Sequence, residues 1–402
     1  MIQTLKKLGP GFLFAGAAIG VSHLVQSTRA GADFGFGLIW ALLLINLIKY
    51  PFFEYGPRYA AGTGRSLLDG YRSMGKGVLI AYFLLTFATM FTIQTAVTIV
   101  TAGIASSLFG FGTTLFWVST ITILCFMILM VGRYKALDKL MKWIVIGLTI
   151  STLIAVALVM DRAAGLSFEQ VIPSDPVGLA FLIAFMGWMP APLDISIWQS
   201  MWTLEKKKID PDTDTKSARF DFNVGYLTTV LLGLGFIALG ALVMHNTGAS
   251  FSSNGTQFAN QLIEMYTSSL GDWAKGIIGV AALTTMFSTT LTTLDASPRV
   301  MSRSTELLFG KTYPKGYLFW LLVLMAGTLS IFFFLISEMG MLIKVATILS
   351  FLTAPFYAIL NYRLITRKDT PEAIRPGAGL KILSLIGIAI LIGFGIWYLS
   401  SI

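Results

Sequence analysis

Two apolar segments of this 402-residue chain are interrupted where a membrane helix should run unbroken. They are Gly16-Ala-Ala-Ile-Gly20-Val-Ser22-His23 and, about 170 residues further on, Gly187-Trp-Met189-Pro190-Ala191-Pro192-Leu-Asp194. An unpaired backbone amide in hydrocarbon costs several kcal/mol, so a bilayer tolerates a broken helix only where protein or a wet cavity receives the freed groups. Two such breaks in corresponding halves of one chain point to a carrier with its substrate held between them.

The rest of the composition agrees with a polytopic membrane protein. Hydrophobic residues make up 55% of the chain and charged residues only 12%, with a mean hydropathy of +0.76. A soluble domain of this size would have to expose much of that apolar surface. Stretches of about 20 apolar residues predict eleven spans, near 10–28, 35–56, 77–108, 113–132, 140–160, 177–202, 222–244, 274–297, 316–336, 340–361 and 381–400.

The net charge of +9 is explained by topology. With the N-terminus cytoplasmic, 24 of the 29 basic residues fall on cytoplasmic segments, three outside (Arg29, Arg162, Lys275) and two within spans (Lys49, Lys344). This is the positive-inside asymmetry. It orients the chain in a bacterial inner membrane with the C-terminus outside, and gives no support to nucleic-acid binding. No obligate protein partner is evident, and the lone Cys125 reads as a small buried hydrophobe that cannot form an internal disulfide.

The N-terminal run has no cleavage site for a leader peptide, so it is expected to be retained. Asn254-Gly-Thr256 matches a glycosylation acceptor only weakly. The longest hydrophilic stretch, Glu205 to Arg219, is expected to be a cytoplasmic loop. Its Asp210, Asp212 and Asp214 lack the glycine and closing glutamate of a calcium loop.

Parity gives the organisation of a single transmembrane unit, residues 1–402. Spans one to five (about 10–160) and six to ten (about 177–361) would form two inverted repeats, each opened by a broken helix, with span eleven (381–400) appended. This is an all-α, LeuT-like fold with unwound helices one and six.

A helix broken at the midplane frees carbonyls that suit a cation and amides that suit an anion. Gly20, Val21, Ser22 and His23 at the first break and Met189, Ala191 and Asp194 at the second are the candidate substrate-binding residues. His23, Met189 and Asp194 are the candidate metal ligands. Asp194 is a functional candidate because an intramembrane carboxylate must be paired, protonated or wet; capping the second half-helix is its alternative role. His23 is either a ligand or proton carrier, or a hydrogen-bonded packing residue. Met189 is either a soft ligand or ordinary packing.

Thr285, Ser288 and Thr289 share one face of span eight at i, i+3, i+4. They are a possible sodium site, although hydroxyls in membrane helices commonly bond their own or a neighbouring backbone. Asp295 is placed to pair with Arg299 one turn on. Glu54 and Gln94 are possible pathway residues, Glu54 having a salt bridge to a neighbouring base as its alternative. No phosphate loop, zinc cluster or nucleophile elbow is present, so nothing supports an enzyme.

The opening Leu8-Gly-Pro-Gly-Phe-Leu13, followed by Gln26-Ser-Thr-Arg-Ala-Gly31-Ala-Asp-Phe-Gly35-Phe-Gly-Leu-Ile-Trp40, resembles that of the Nramp family of divalent metal transporters. Span count, loop lengths and the Met189-Pro190 pair extend the likeness over most of the chain. The family's Asp-Pro-Gly-Asn at the first break is Gly20-Val21-Ser22-His23 here, and its Met-Pro-His at the second is Met189-Pro190-Ala191. Its acidic third-span residues are missing from Phe91-Thr-Ile-Gln94-Thr-Ala-Val97.

The resemblance implies the LeuT-like fold and a carrier of a divalent cation as substrate, without a cofactor. An imidazole, a thioether and one carboxylate would favour manganese or ferrous iron over magnesium. A sodium-coupled carrier of a small organic solute is the alternative, and a receptor that has lost transport a third reading.

Overall fold

The computed structural model describes residues 9–131, 134–163, 167–245, 257, 260–264, 271, 274–335 and 339–400; Lys6, Lys7 and the Asn254-Gly-Thr256 motif lie outside them. The first apolar segment forms α1 (Pro10–Ala18), a π-helical stretch (Val21–Ser27) and α2 (Thr28–Phe34). There follow α3 (Ile39–Thr63), α4 (Leu67–Met74), α5 (Lys76–Phe109), α6 (Thr114–Val131) and α7 (Tyr134–Leu158). The second broken segment is α8 (Pro176–Trp188) and α9 (Ile195–Ile209). The chain continues through α10 (Thr215–Val243), α11 (Ala274–Phe309), α12 (Gly316–Leu335), α13 (Met339–Thr366) and α14 (Ala378–Leu399).

Each of the eleven predicted spans is matched by one helix or one broken pair. Among the described residues six helices (α5, α6, α10, α12, α13 and α14) are long and apolar enough to cross a membrane on their own. Leu43 and Leu47 on α3, Ile123 and Met127 on α6, and Ile382, Leu385 and Ile396 on α14 point outward. Apolar side chains in such a belt are stable only against lipid.

The packing repeats itself between the halves, as an inverted repeat requires. Helix α1 packs on α7, and its counterpart α8 packs on α13. Both α1 and α2 pack on α10, whereas α9 packs on α3, and the equivalent helices α5 and α11 pack on each other. This is the LeuT-like arrangement expected from sequence.

Glycines permit the closest of these contacts. Gly11 lies against the backbone of Asp221, and Gly225 against that of Gly11, so a Cβ at either position would collide with main chain. Small residues at such crossings let membrane helices approach backbone to backbone. The start of α1 is held at the same place: the Gly9 and Gly11 amides donate to the Asp221 carboxylate at 2.8 and 2.7 Å. An anion at a helix N-terminus satisfies orphan donors and complements the dipole.

One local expectation changes, and one helix is new. The stretch 205–219 is mostly helix, because α9 runs on to Ile209 and α10 starts at Thr215, where the Asp214 carboxylate caps it by accepting from the Ser217 amide at 2.8 Å. Residues 65–75 hold α4, which opens on a reciprocal Ser66–Asp69 capping box.

Candidate functional site

At the first break α1 ends at Ala18, and Gly20 adopts φ −144°, ψ −126° before the π-helical turn. Gly20 sits beneath Thr289 of α11: a Cβ there would come within 2.7 Å of the Thr289 methyl. The Thr289 hydroxyl is shared between the carbonyls of Gly16 at 3.0 Å and Ile19 at 3.1 Å. Those oxygens are thus met by a hydroxyl of a neighbouring helix, the alternative to a sodium site on this face. Thr285 bonds back to Ala281 of its own helix, and the buried Ser288 hydroxyl has no partner among the described residues.

His23 is fully buried and lies between carbonyls. Its Nε2 is 3.0 Å from the Thr229 oxygen on α10, and its Nδ1 is 3.0 Å from the Ala18 oxygen and 2.8 Å from the Ser22 hydroxyl. A neutral imidazole has one N–H, so it donates either to Thr229 on α10 or to Ala18, with the Ser22 hydroxyl beside its Nδ1 also bonding the Ala18 carbonyl.

At the second break the carbonyls at the end of α8 do face a cation, and that cation belongs to the chain. The Lys49 side chain, 0% exposed on α3, donates to the oxygens of Met186 at 2.8 Å, Gly187 at 2.7 Å, Met189 at 2.9 Å and Ala191 at 3.3 Å. A helix C-terminus carries partial negative charge on its unpaired carbonyls, so an ammonium group is the natural counterpart. The Met189 sulfur takes a 3.9 Å contact from the Ser27 hydroxyl.

Asp194 precedes α9 but does not cap it through its side chain. It is 5% exposed, and its Oδ1 has no hydrogen-bond partner among the described residues. It lines a cavity of about 30 Å³ between the two breaks, walled by Val21, Ser22, Ala191, Trp198 and Thr289 together with Ile93 of α5 and Thr293 of α11. The Trp198 indole N–H, one turn along α9, is likewise buried and has no partner among the described residues.

Among the expected substrate residues, then, Val21, Ser22, Ala191 and Asp194 meet in one cavity, with Thr289 from the expected sodium set. Gly20, His23 and Met189 stand outside its wall, as do Thr285 and Ser288. Among the described residues no group of three or more His, Cys, Asp or Glu side chains converges.

Glu54 lies elsewhere, held by Arg58 and Arg219 at 2.7 Å each. Gln94 links α5 to α11, accepting from the Thr293 hydroxyl at 2.7 Å and donating to the Thr290 carbonyl at 3.3 Å. Asp295 pairs with Arg299 at 2.7 Å, as its spacing indicates.

Sequence reasoning missed the role of Lys49. An intramembrane lysine without an acidic neighbour three or four residues away was the available signal. Nothing local named its partners, which lie 137 to 142 residues away.

Two broken helices opening the halves of an inverted repeat, with a small cavity between the breaks, define a membrane protein of the LeuT-like class. Residues 11–401 match the model of the Nramp family, described as natural resistance-associated macrophage protein-like. The chain belongs to that family. It is 37% identical over 403 residues to the uncharacterized protein PM0681 of Pasteurella multocida, covering 98% of this chain and 92% of that one. It is also similar to the divalent metal cation transporter MntH of Yersinia pestis, at 24% identity over 71% of this chain and 70% of that one. The manganese transporter of Eremococcus coleocola, solved with an aromatic bis-isothiourea compound, superimposes with a TM-score of 0.75. That match covers 99% of this chain and 87% of the other at 13% identity, a likeness of fold.

Proposed function

We propose that this chain is a secondary carrier of a divalent metal cation of the manganese or ferrous iron class, working by alternating access. The observation that carries the reading is the Asp194 carboxylate, with an unpartnered oxygen, in a cavity of about 30 Å³ at the meeting of two broken helices. That is room for roughly one or two water-sized groups in this conformation, which suits an ion stripped of most of its shell. Family membership and the similarity to MntH support the same cargo.

In this reading Asp194 supplies the negative charge, and Ser22 and backbone oxygens of the first break supply neutral ligands. His23 and Met189 border the site from behind its wall, His23 fixing the Ala18 carbonyl and Met189 offering a thioether as the helices rearrange. Lys49 occupies the α8 carbonyls, so the cation being carried depends on Asp194. The repeats run over about 10–160 and 177–361, with 381–400 appended, the N-terminus cytoplasmic and the C-terminus outside a bacterial inner membrane. The metal is cargo, and no cofactor or obligate protein partner is required.

Purified protein in liposomes should take up manganese, and Asp194→Ala and His23→Ala should both weaken uptake. Unchanged uptake in both variants would remove the proposed site.

A further inference from the structure

A second cavity, of about 230 Å³, opens between α2, α8 and α13. It lies where α8 begins, hence at the end of the bundle opposite the 205–219 segment that follows α9. Its polar wall is Gln26, Arg29, Lys344 and Thr347, and its other wall is apolar, with Ala180, Phe181 and Ala184 of α8. No acidic side chain lines it among the described residues. Asp33, one turn beyond Arg29, interacts electrostatically with Arg29 but is not in the wall. Asp175 is occupied in capping α8 through the Val177 and Gly178 amides.

Among the described residues two of the polar atoms lack hydrogen-bond partners. Gln26 is only 7% exposed, and neither its Oε1 nor the buried Arg29 Nε has a hydrogen-bond partner among the described residues. The Arg29 guanidinium is held over the Phe181 ring at 5.6 Å, which fixes its direction. Lys344 is exposed at the rim. A buried, partnerless guanidinium nitrogen beside an ammonium is costly unless an anion completes it.

We propose that this cavity binds a small organic acid, with its carboxylates on Arg29 and Lys344, its remaining oxygen on Gln26 and its carbon skeleton against Ala180, Phe181 and Ala184. The apolar wall favours a carboxylic acid over an inorganic oxyanion, and the volume lies below that of pockets for drug-sized ligands.

Titration calorimetry on the purified full-length protein, free of metal, with succinate, citrate and inorganic phosphate tests the binding without transport. Succinate or citrate should bind one to one and more tightly than phosphate, and more weakly as salt rises. Arg29→Gln and Lys344→Gln should each weaken binding about tenfold or more. Ala180→Leu, which fills the cavity and changes no charge, should weaken it as well. Melting temperatures of the variants identify any that fail to fold; Lys344→Gln, altering an exposed side chain, keeps the test open if Arg29→Gln does not fold. Absence of carboxylate binding, phosphate binding at least as tight as succinate, or carboxylate binding unchanged in folded Lys344→Gln and Ala180→Leu would each overturn the proposal.

Discussion

The Lys49 ammonium stands 2.7 Å from the carbonyl of Gly187, inside the ring of oxygens left where α8 breaks. A break in hydrocarbon has to find partners for its carbonyls, and this chain supplies a tethered cation from α3. The first break is met differently, by the Thr289 hydroxyl and the His23 and Ser22 side chains. Related halves of one fold thus solve the same backbone problem with different chemistry.

Replacing Lys49 with Met keeps the apolar stem and removes the charge, leaving four buried carbonyls without their donor. Each unsatisfied buried group costs about 1–3 kcal/mol, so the variant should melt well below the parent in detergent and lose manganese uptake. Ethylammonium added to Lys49→Ala should restore part of both, because it can refill the ammonium position. Melting curves with and without the amine check this, and a Lys49→Met protein as stable as the parent would show that the carbonyls need no cation.

The end of the bundle where α4 meets the close of α11 should respond to acid through Asp69. Burial pushes its carboxyl up, but hydrogen bonds from Ser66 and the Arg303 guanidinium outweigh this and hold it below the usual carboxylate range. Arg303 reaches Asp69 at 2.5 Å and Glu306 at 3.1 Å, tying α4 to the end of α11. A depressed carboxyl stabilises the fold above its unfolded value, near about 4, and that contribution is lost as pH falls through the folded value. Melting temperature against pH should therefore separate the parent from Asp69→Asn at neutral pH, and the two curves should converge in acid. A gap that persists at low pH would place the effect elsewhere.

The start of α1 depends on one carboxylate from another helix. Asp221→Asn should preserve shape and lose the charge-assisted bonds to the Gly9 and Gly11 amides. The expected loss is about 1–3 kcal/mol, read as a lowered melting temperature. Hydrogen exchange at Gly11 should rise together with it.

The parts of this structure that were legible in sequence are those set by local rules. Hydropathy located the helices at all eleven expected spans, and glycine and proline located both breaks, because an apolar run and a missing amide act where they stand. Helix α4 was missed since eight residues with a single capping box make little periodic signal. The polar composition of 205–219 hid helices that continue past the membrane boundary. At the site, the expectation that freed carbonyls attract cations was sound, yet the identity of the cation depended on packing between α3 and α8. His23 was open to two readings because its partner Thr229 lies 206 residues away. Asp194 could be singled out since its cost in an apolar span is intrinsic to the residue.

The contact between Gly20 and Thr289 offers the sharpest separation of structure from transport. Thr289→Val keeps the volume and removes the hydroxyl, so the Gly16 and Ile19 carbonyls lose a donor while Gly20 keeps its close packing. Gly20→Ala does the reverse, pressing a methyl into Thr289 at 2.7 Å and forcing α1 and α11 apart. If Thr289 only satisfies backbone, both variants should lower the melting temperature and scale uptake with the amount of folded protein. If its hydroxyl also holds the first break in the shape that faces Asp194, Thr289→Val should raise the KM for manganese in the fraction that remains folded. Uptake per folded molecule in liposomes decides between them, and the shared cavity wall of Thr289 and Asp194 leads us to expect the raised KM.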